Sequence, residues 1–146
     1  MKLLRYSTEL QIDFQALETL VQQMPNISLS GDELKAYLNK LVMYGELFVA
    51  LEGLMPNALL GFYANNLETK IAFLSCIVVS AKLQGSGVGQ SLFSQMCSIA
   101  KEKGMTRLQL DVVKENVRAI AFYKRNDCVI VGEGRTDEYW LMEKSL

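Results

Sequence analysis

The stretch LQGSGVGQS, residues 83–91, places Gly85, Gly87 and Gly89 within five positions, directly after the apolar run FLSCIVVS. Glycine lets a backbone turn tightly or approach a ligand closely. Apolar residues before the loop read as a strand, and those after it recur at helical spacing. The loop therefore leads into a helix N-terminus, which carries unsatisfied amides and about half a positive charge. Phosphate is the natural occupant of such a site. A plain glycine-rich turn with nothing bound is the competing reading. A Walker loop needs GxxxxGK[ST], and no lysine follows these glycines. A dinucleotide fingerprint needs GxGxxG early in a βαβ unit, whereas GxGxG stands here behind several strand candidates.

Composition narrows the remaining chemistry. The 146 residues contain no histidine. That excludes Ser-His-Asp and Cys-His hydrolysis, histidine-bound metals and imidazole acid–base catalysis. Catalysis must then use carboxylates, tyrosine, lysine, cysteine, backbone amides or a cofactor. Cys76, Cys97 and Cys128 are scattered in apolar stretches and form no CxxC pair. They read as small buried hydrophobes in a reducing cytoplasm, without a disulfide framework or metal site. Fifteen basic and sixteen acidic residues leave a net charge of −1 with no basic stripe, so nucleic acid is not an expected partner. The N-terminus becomes polar too soon for a signal peptide, and no apolar run is long enough to span a membrane. The expected protein is soluble and cytoplasmic.

No linker, charge block or repeat divides the chain, so residues 1–146 are expected to form one domain. A short strand around Leu3–Arg5 comes first. A capping box, Thr8 to Gln11, predicts a helix carrying Phe14, Leu17, Leu20, Val21 and Met24 and stopped by Pro25. A second box, Ser30 to Glu33, opens a helix with Leu34, Leu38, Leu41 and Val42 on one face, ended by Gly45. ELFVALE and ALLGFYA read as a hairpin around a turn at Pro56-Asn57, and a further strand is expected around Asn65–Lys70. KIAFLSCIVVS alternates little, which predicts a central strand covered on both faces. Beyond the glycines come a helix to Gly104, the alternating strand TRLQLDVV, the helix NVRAIAFYKRN, and strands CVIVGE and YWLMEK. The sum is a mixed α/β (α+β) domain.

Two motifs in this order carry a resemblance. Gln84-Gly85-Ser86-Gly87-Val88-Gly89 matches the Q/R-x-x-G-x-G/A motif of the GNAT family of acyl-CoA-dependent N-acetyltransferases. Asn116-x-x-Ala119-x-x-Phe122-Tyr123 resembles the second motif of that family. The resemblance covers nearly the whole chain. It implies a central mixed, mostly antiparallel sheet flanked by about four helices. It also implies acetyl-CoA as cosubstrate, no metal, and acetyl transfer to a primary amine by direct attack in a ternary complex.

Carried over residue by residue, the resemblance implies that amides of Gly85, Ser86, Gly87, Val88, Gly89 and Gln90 bind the cofactor pyrophosphate, with Gln84 fixing the loop. Gly85, Ser86 and Gln90 stand where the family usually carries basic residues, so Lys124 or Arg125 would assist. Ile77, Val78 and Val79 would pair with pantetheine as an added strand, the Val79 amide polarising the acetyl carbonyl. Phe122 would flank the cofactor. Asn116 reads equally as a cofactor contact and as an ordinary helix N-cap. Tyr123 would be the general acid for the departing thiolate; a structural tyrosine at a helix end is the alternative. Asp111 would take the amine proton, or is a solvated strand carboxylate. After the second helix, RNDC replaces the family's Gly-Phe. Asn126 or Asp127 would supply left-handed geometry there, with repacking around Cys128.

The acceptor is open between a small-molecule amine and a peptide N-terminus. Met24, Tyr37, Tyr44, Tyr139 and Trp140, with Asp32, Glu33, Glu46 and Glu138, are the residues expected to shape its pocket. A homodimer remains open. Two rivals stand beside the enzyme: a non-catalytic acyl-CoA-sensing module, and a nucleotide-binding or structural domain in which the glycines only turn the chain.

Overall fold

The computed structural model describes residues 2–7, 10–24 and 29–146. Among these, seven strands form one sheet in the order β1-β2-β3-β4-β5-β7-β6. They are β1 (Lys2–Arg5), β2 (Glu46–Glu52), β3 (Met55–Tyr63), β4 (Ile71–Val79), β5 (Arg107–Val113), β6 (Val129–Glu133) and β7 (Tyr139–Ser145). Four α-helices accompany them: α1 (Phe14–Val21), α2 (Gly31–Tyr44), α3 (Val88–Glu102) and α4 (Val117–Arg125). Every neighbouring strand pair is antiparallel except β4–β5, the mixed, mostly antiparallel sheet that the resemblance implies.

The helical spacing of apolar residues decides what each helix covers. Leu17, Leu20 and Val21 of α1 and Leu34, Leu38 and Leu41 of α2 pack with Leu47, Val49 and Leu59 in one core. Leu92, Phe93, Met96 and Ala100 of α3 pack with Leu60, Phe62, Leu108 and Leu110 in another. Burying each of these side chains contributes about 1.5–3 kcal/mol, so the sheet is held from both faces.

Several boundaries differ from expectation. Thr8 lies outside the described residues, and α1 is capped at Asp13, whose side chain accepts from the Gln15 amide at 3.0 Å. Ser30 does precede α2 in extended geometry but makes no side-chain cap. The β2–β3 reversal falls at Gly53-Leu54 (Gly53 φ +63°), and Pro56-Asn57 lies inside β3. Pro56 is tolerated because the β2–β3 register shifts there, between Ala50 and Leu51. Residues 65–70 form a turn rather than a strand, tied by Asn66 Oδ1 to the amides of Glu68 and Thr69.

β4 is central, but it is not evenly covered. Ala72, Leu74, Cys76 and Val78 are buried while the residues between them are half-buried. Opposite Gly61-Phe62 the register skips Ser75, a β-bulge. One inserted residue reverses which side chains face which side of the sheet. Accordingly Ala72 and Leu74 belong to the α3 core, whereas Cys76 and Val78 belong to the α1–α2 core.

Candidate active site

The parallel pair β4–β5 is in register only from Ile71↔Arg107 to Leu74↔Leu110. Past the bulge β4 runs on to Val79, paired with β3 alone, while β5 runs on to Val113, paired with β7 alone. The strands therefore part at their carboxyl ends, where ligands of open α/β sheets bind. A cleft of about 720 Å³ opens there, its floor formed by Ser75–Val79 and Leu110–Val113.

The direction of the β4 amides follows from the ladder. Ser80 N–H donates to Asn57 C=O at 2.8 Å, so position 80 faces β3. Successive amides of a strand alternate in direction. Val78 therefore also faces β3, whereas Val79 and Ile77 turn their N–H groups toward the cleft. Gln84 Nε2 donates to Val79 C=O at 3.3 Å, which ties the glycine loop to this free edge.

In the loop, Gly85 (φ +81°) and Gly87 (φ +91°) occupy left-handed backbone that other residues rarely adopt. Gly87 is the N-cap of α3. Gly89 is different. A Cβ there would meet Phe122 and Val79 at 3.7 and 3.8 Å, ordinary contact distances. Neither backbone angle nor protein packing requires glycine at 89, whereas a close-lying ligand would.

α4 forms the opposite wall. Asn116 caps it, its Oδ1 accepting from the Ala119 amide at 3.2 Å, and it also lines the cleft. Phe122 and Tyr123 lie one turn further on. Their rings meet edge-on at 5.5 Å, and both contact Phe93 of α3. Burial pushes the Tyr123 phenol well above its ordinary range, so it stays protonated across physiological pH. Asp127 supplies the left-handed residue after α4 (φ +67°), and Cys128 is buried behind it.

Most expected site residues converge on the cleft: Ile77, Val78, Val79, Gln84, Gly85, Gly87, Gly89, Gln90, Asp111, Asn116, Phe122 and Tyr123. Ser86 and Val88 face a smaller concavity beside β2 and β1, and Lys124 does not line the cleft. The Gln90 side chain is engaged elsewhere, donating to Asn126 Oδ1 at 2.6 Å, which leaves only its amide for a ligand. Of the residues expected around the acceptor, Met24 and Tyr139 reach the cleft. Tyr37 reaches its floor indirectly, through a 2.7 Å hydrogen bond to Ser75. Glu46 is buried away from it, paired with Arg5 and with Lys103 at 2.9 Å.

The charged residues lining the cleft are Arg118, Arg125, Arg135 and Asp111. None of the four has an ion-pair partner among the described residues, whereas Arg5, Lys82, Lys103, Arg107, Lys114 and Lys144 are all paired elsewhere. Three unpaired guanidinium groups against one carboxylate suit an anionic occupant. Sequence reading passed over Arg118 and Arg135. Arg118 and Arg125 are seven residues apart, two helical turns, and that spacing was the available signal.

Cys76 also reaches the cleft floor, but burial pushes its thiol up to about 11. A thiol held that far from ionisation is a poor nucleophile, which argues against a covalent acetyl-enzyme.

Comparison with known proteins converges on one family. A model described as the acetyltransferase (GNAT) family matches residues 15–127. No curated protein sequence matches the chain. Solved structures do. An acetyltransferase from Streptococcus agalactiae superposes with a TM-score of 0.82 at 18% identity, covering 99% of this chain and 98% of that one. Ard1 from Thermoplasma volcanium gives 0.81 at 16% identity over 99% and 97%. The PaiA N-acetyltransferase from Thermoplasma acidophilum, solved in complex with coenzyme A, gives 0.77 at 14% identity over the full length of both chains.

Proposed function

Because this chain belongs to the acetyltransferase (GNAT) family, we propose that it transfers the acetyl group of acetyl-CoA to a primary amine, by direct attack within a ternary complex. The observation that carries this reading is the free edge of β4. Val79 and Ile77 present unpaired amides to a cleft whose other end is the glycine loop and the α3 N-terminus. A pantetheine arm extends such an edge as a strand would. A pyrophosphate accepts from the loop amides. The coenzyme A complex of the Thermoplasma acidophilum neighbour supports the same occupant.

Each wall then has a task. Arg118 and Arg125 supply the phosphate counter-charge that the neutral loop lacks. Val79 N–H donates to the acetyl carbonyl oxygen as negative charge develops on it. The new N–C bond forms as the C–S bond breaks. Asp111 takes the amine proton, directly or through a water, and the Tyr123 hydroxyl gives one to the departing sulfur. A thiol ionises near ~8.5 and a phenol near ~10, so this donation is uphill and its benefit lies at the lower end of acid catalysis.

Thermal unfolding with acetyl-CoA, CoA, ATP and NAD in parallel tests the cofactor. A specific ligand at a hundred times its dissociation constant adds about 2.7 kcal/mol, a shift of several degrees for a domain of this size. A shift with acetyl-CoA and CoA alone is the expected result, and no shift with either overturns the reading. Release of free thiol in the presence of amines then separates a transferase from a module that only senses acyl-CoA.

Tyr123→Phe keeps the ring packed on Phe93 and removes only the hydroxyl. It should lower kcat by roughly 10²-fold while KM for acetyl-CoA changes little. Wild-type kcat in the Phe variant would assign Tyr123 to packing alone.

A further inference from the structure

Asp111 and Arg135 carry opposite charges into the same part of the cleft, yet they are not paired with each other or with any other described residue. Their placement follows from the packing around Gly134 and Tyr139. Gly134 lies against Asp111: a Cβ there would fall 2.6 Å from Asp111 Oδ1. That same Cβ would fall 2.7 Å from Tyr139 Cβ, so the carboxylate and the base of the Tyr139 side chain both lie against Gly134. The Gly134 amide donates to Tyr139 C=O at 2.9 Å, which locks this corner of the β6–β7 turn. Arg135 then folds back over Tyr139. Its Cζ stands 4.2 Å from the ring centroid, and Nη2 donates to the phenol oxygen. The guanidinium is thus held over the Tyr139 ring, one residue along the chain from the glycine that touches the carboxylate, and its remaining N–H groups have no acceptor among the described residues.

Resting on the transferase reading above, we propose that the acceptor is a free amino acid, whose ammonium faces Asp111 and whose carboxylate is received by Arg135. A guanidinium presents donors in a planar fork that matches a carboxylate. Stacking on Tyr139 fixes that fork before a ligand arrives, so little side-chain freedom is lost on binding. A simple alkylamine or amino-acid amide leaves Arg135 unanswered. An internal peptide segment places an uncharged amide where the carboxylate would sit.

Thiol release from acetyl-CoA, measured with the full chain against a panel of free amino acids, their α-amides and short peptides, tests the proposal. The amine of an amide is less basic than that of the parent acid, so at neutral pH the chemistry alone favours the amide. Preference for the acid must come from recognition of its carboxylate. The expected result is kcat/KM at least about tenfold higher for the acid than for its amide at the best side chain. R135Q should erase this ratio chiefly through KM, and R135K should restore part of it; each variant's own melting temperature reports its folding. Amides or peptides turned over as well as the acids, or an unchanged ratio in a folded R135Q, would overturn the proposal while leaving acetyl transfer standing. Absence of thiol release with every one of these acceptors would overturn the proposal, whereas absence of a thermal shift with acetyl-CoA would overturn the transferase reading beneath it.

Discussion

Val79→Pro is expected to lower kcat/KM by roughly 10²–10³-fold, the cost of removing one oxyanion-hole donor, in a protein that still folds. Proline removes a backbone N–H and fixes φ at about −65°. At most positions in a sheet that breaks the ladder. At position 79 the N–H points away from β3 and into the cleft, so no sheet hydrogen bond is lost. Val79 C=O keeps its bond from Gln84, and Ser80 keeps its bond to Asn57. The preceding residue, Val78, is already extended, as the position before proline requires. Val78→Pro is the matched comparison. Its N–H faces β3, so that variant should lose a ladder bond and much of its stability. Circular dichroism and melting temperature establish folding, and steady-state thiol release gives the rate. A folded Val79→Pro with wild-type kcat/KM would remove the Val79 amide from the mechanism.

The two valines differ in a way that no sequence pattern states. The sequence offers KIAFLSCIVVS, a run long enough for a central strand, and β4 is indeed fourth of seven. Which amides face outward depends on the bulge at Ser75 and on how soon β5 diverges, and both come from pairing partners distant in sequence. Local signals carried further elsewhere. Glycine spacing located the loop and the start of α3, and helical spacing gave the buried faces of α1 to α3 apart from Val42, which the turn of α2 leaves exposed. The left-handed residue after α4 was read from the tolerance of asparagine and aspartate for that geometry, and Asp127 adopts it. The Pro56-Asn57 turn failed for the same kind of reason that the bulge was missed. A dipeptide favours a turn, but the register between two strands decides where the chain reverses, and Gly53 lay closer to that point. The cleft charges needed the fold as well. Arg135 and Asp111 are 24 positions apart, and only the pairing of β5 with β7 brings the turn holding Arg135 beside the carboxylate.

A second large effect concerns stability rather than turnover. Folding stability should fall steeply above pH ~8.5, because two buried thiols resist ionisation. Burial pushes Cys76 up to about 11, with weaker opposing hydrogen bonds from Tyr37 and Gly61. Cys128 is also pushed up to about 11 by burial, partly offset by the Lys144 ammonium. In the unfolded chain both thiols ionise near ~8.5. Between these values the folded protein keeps protons that the unfolded chain has released, so each rise in pH favours unfolding. The slope is about 1.4 kcal/mol per pH unit for each thiol. By pH 10 Cys76 alone costs about 2 kcal/mol, a large share of the roughly 5–15 kcal/mol typical of a domain, and the less deeply buried Cys128 adds a smaller loss. Below pH ~8.5 both thiols are protonated in either state and contribute no slope. The half-buried phenol of Tyr37 and the buried one of Tyr123, raised for the same reason, extend the loss above pH ~10. Urea unfolding under reducing conditions at pH 7.5, 9 and 10 measures it. Cys76→Ala should be less stable at pH 7.5, because it opens a cavity beside Gly61, yet its stability should fall less steeply with pH. If wild-type stability stayed level from pH 7.5 to 10, the thiols would have to ionise freely in the folded state. In that case burial would no longer explain why Cys76, on the floor of the cleft, is left out of the chemistry.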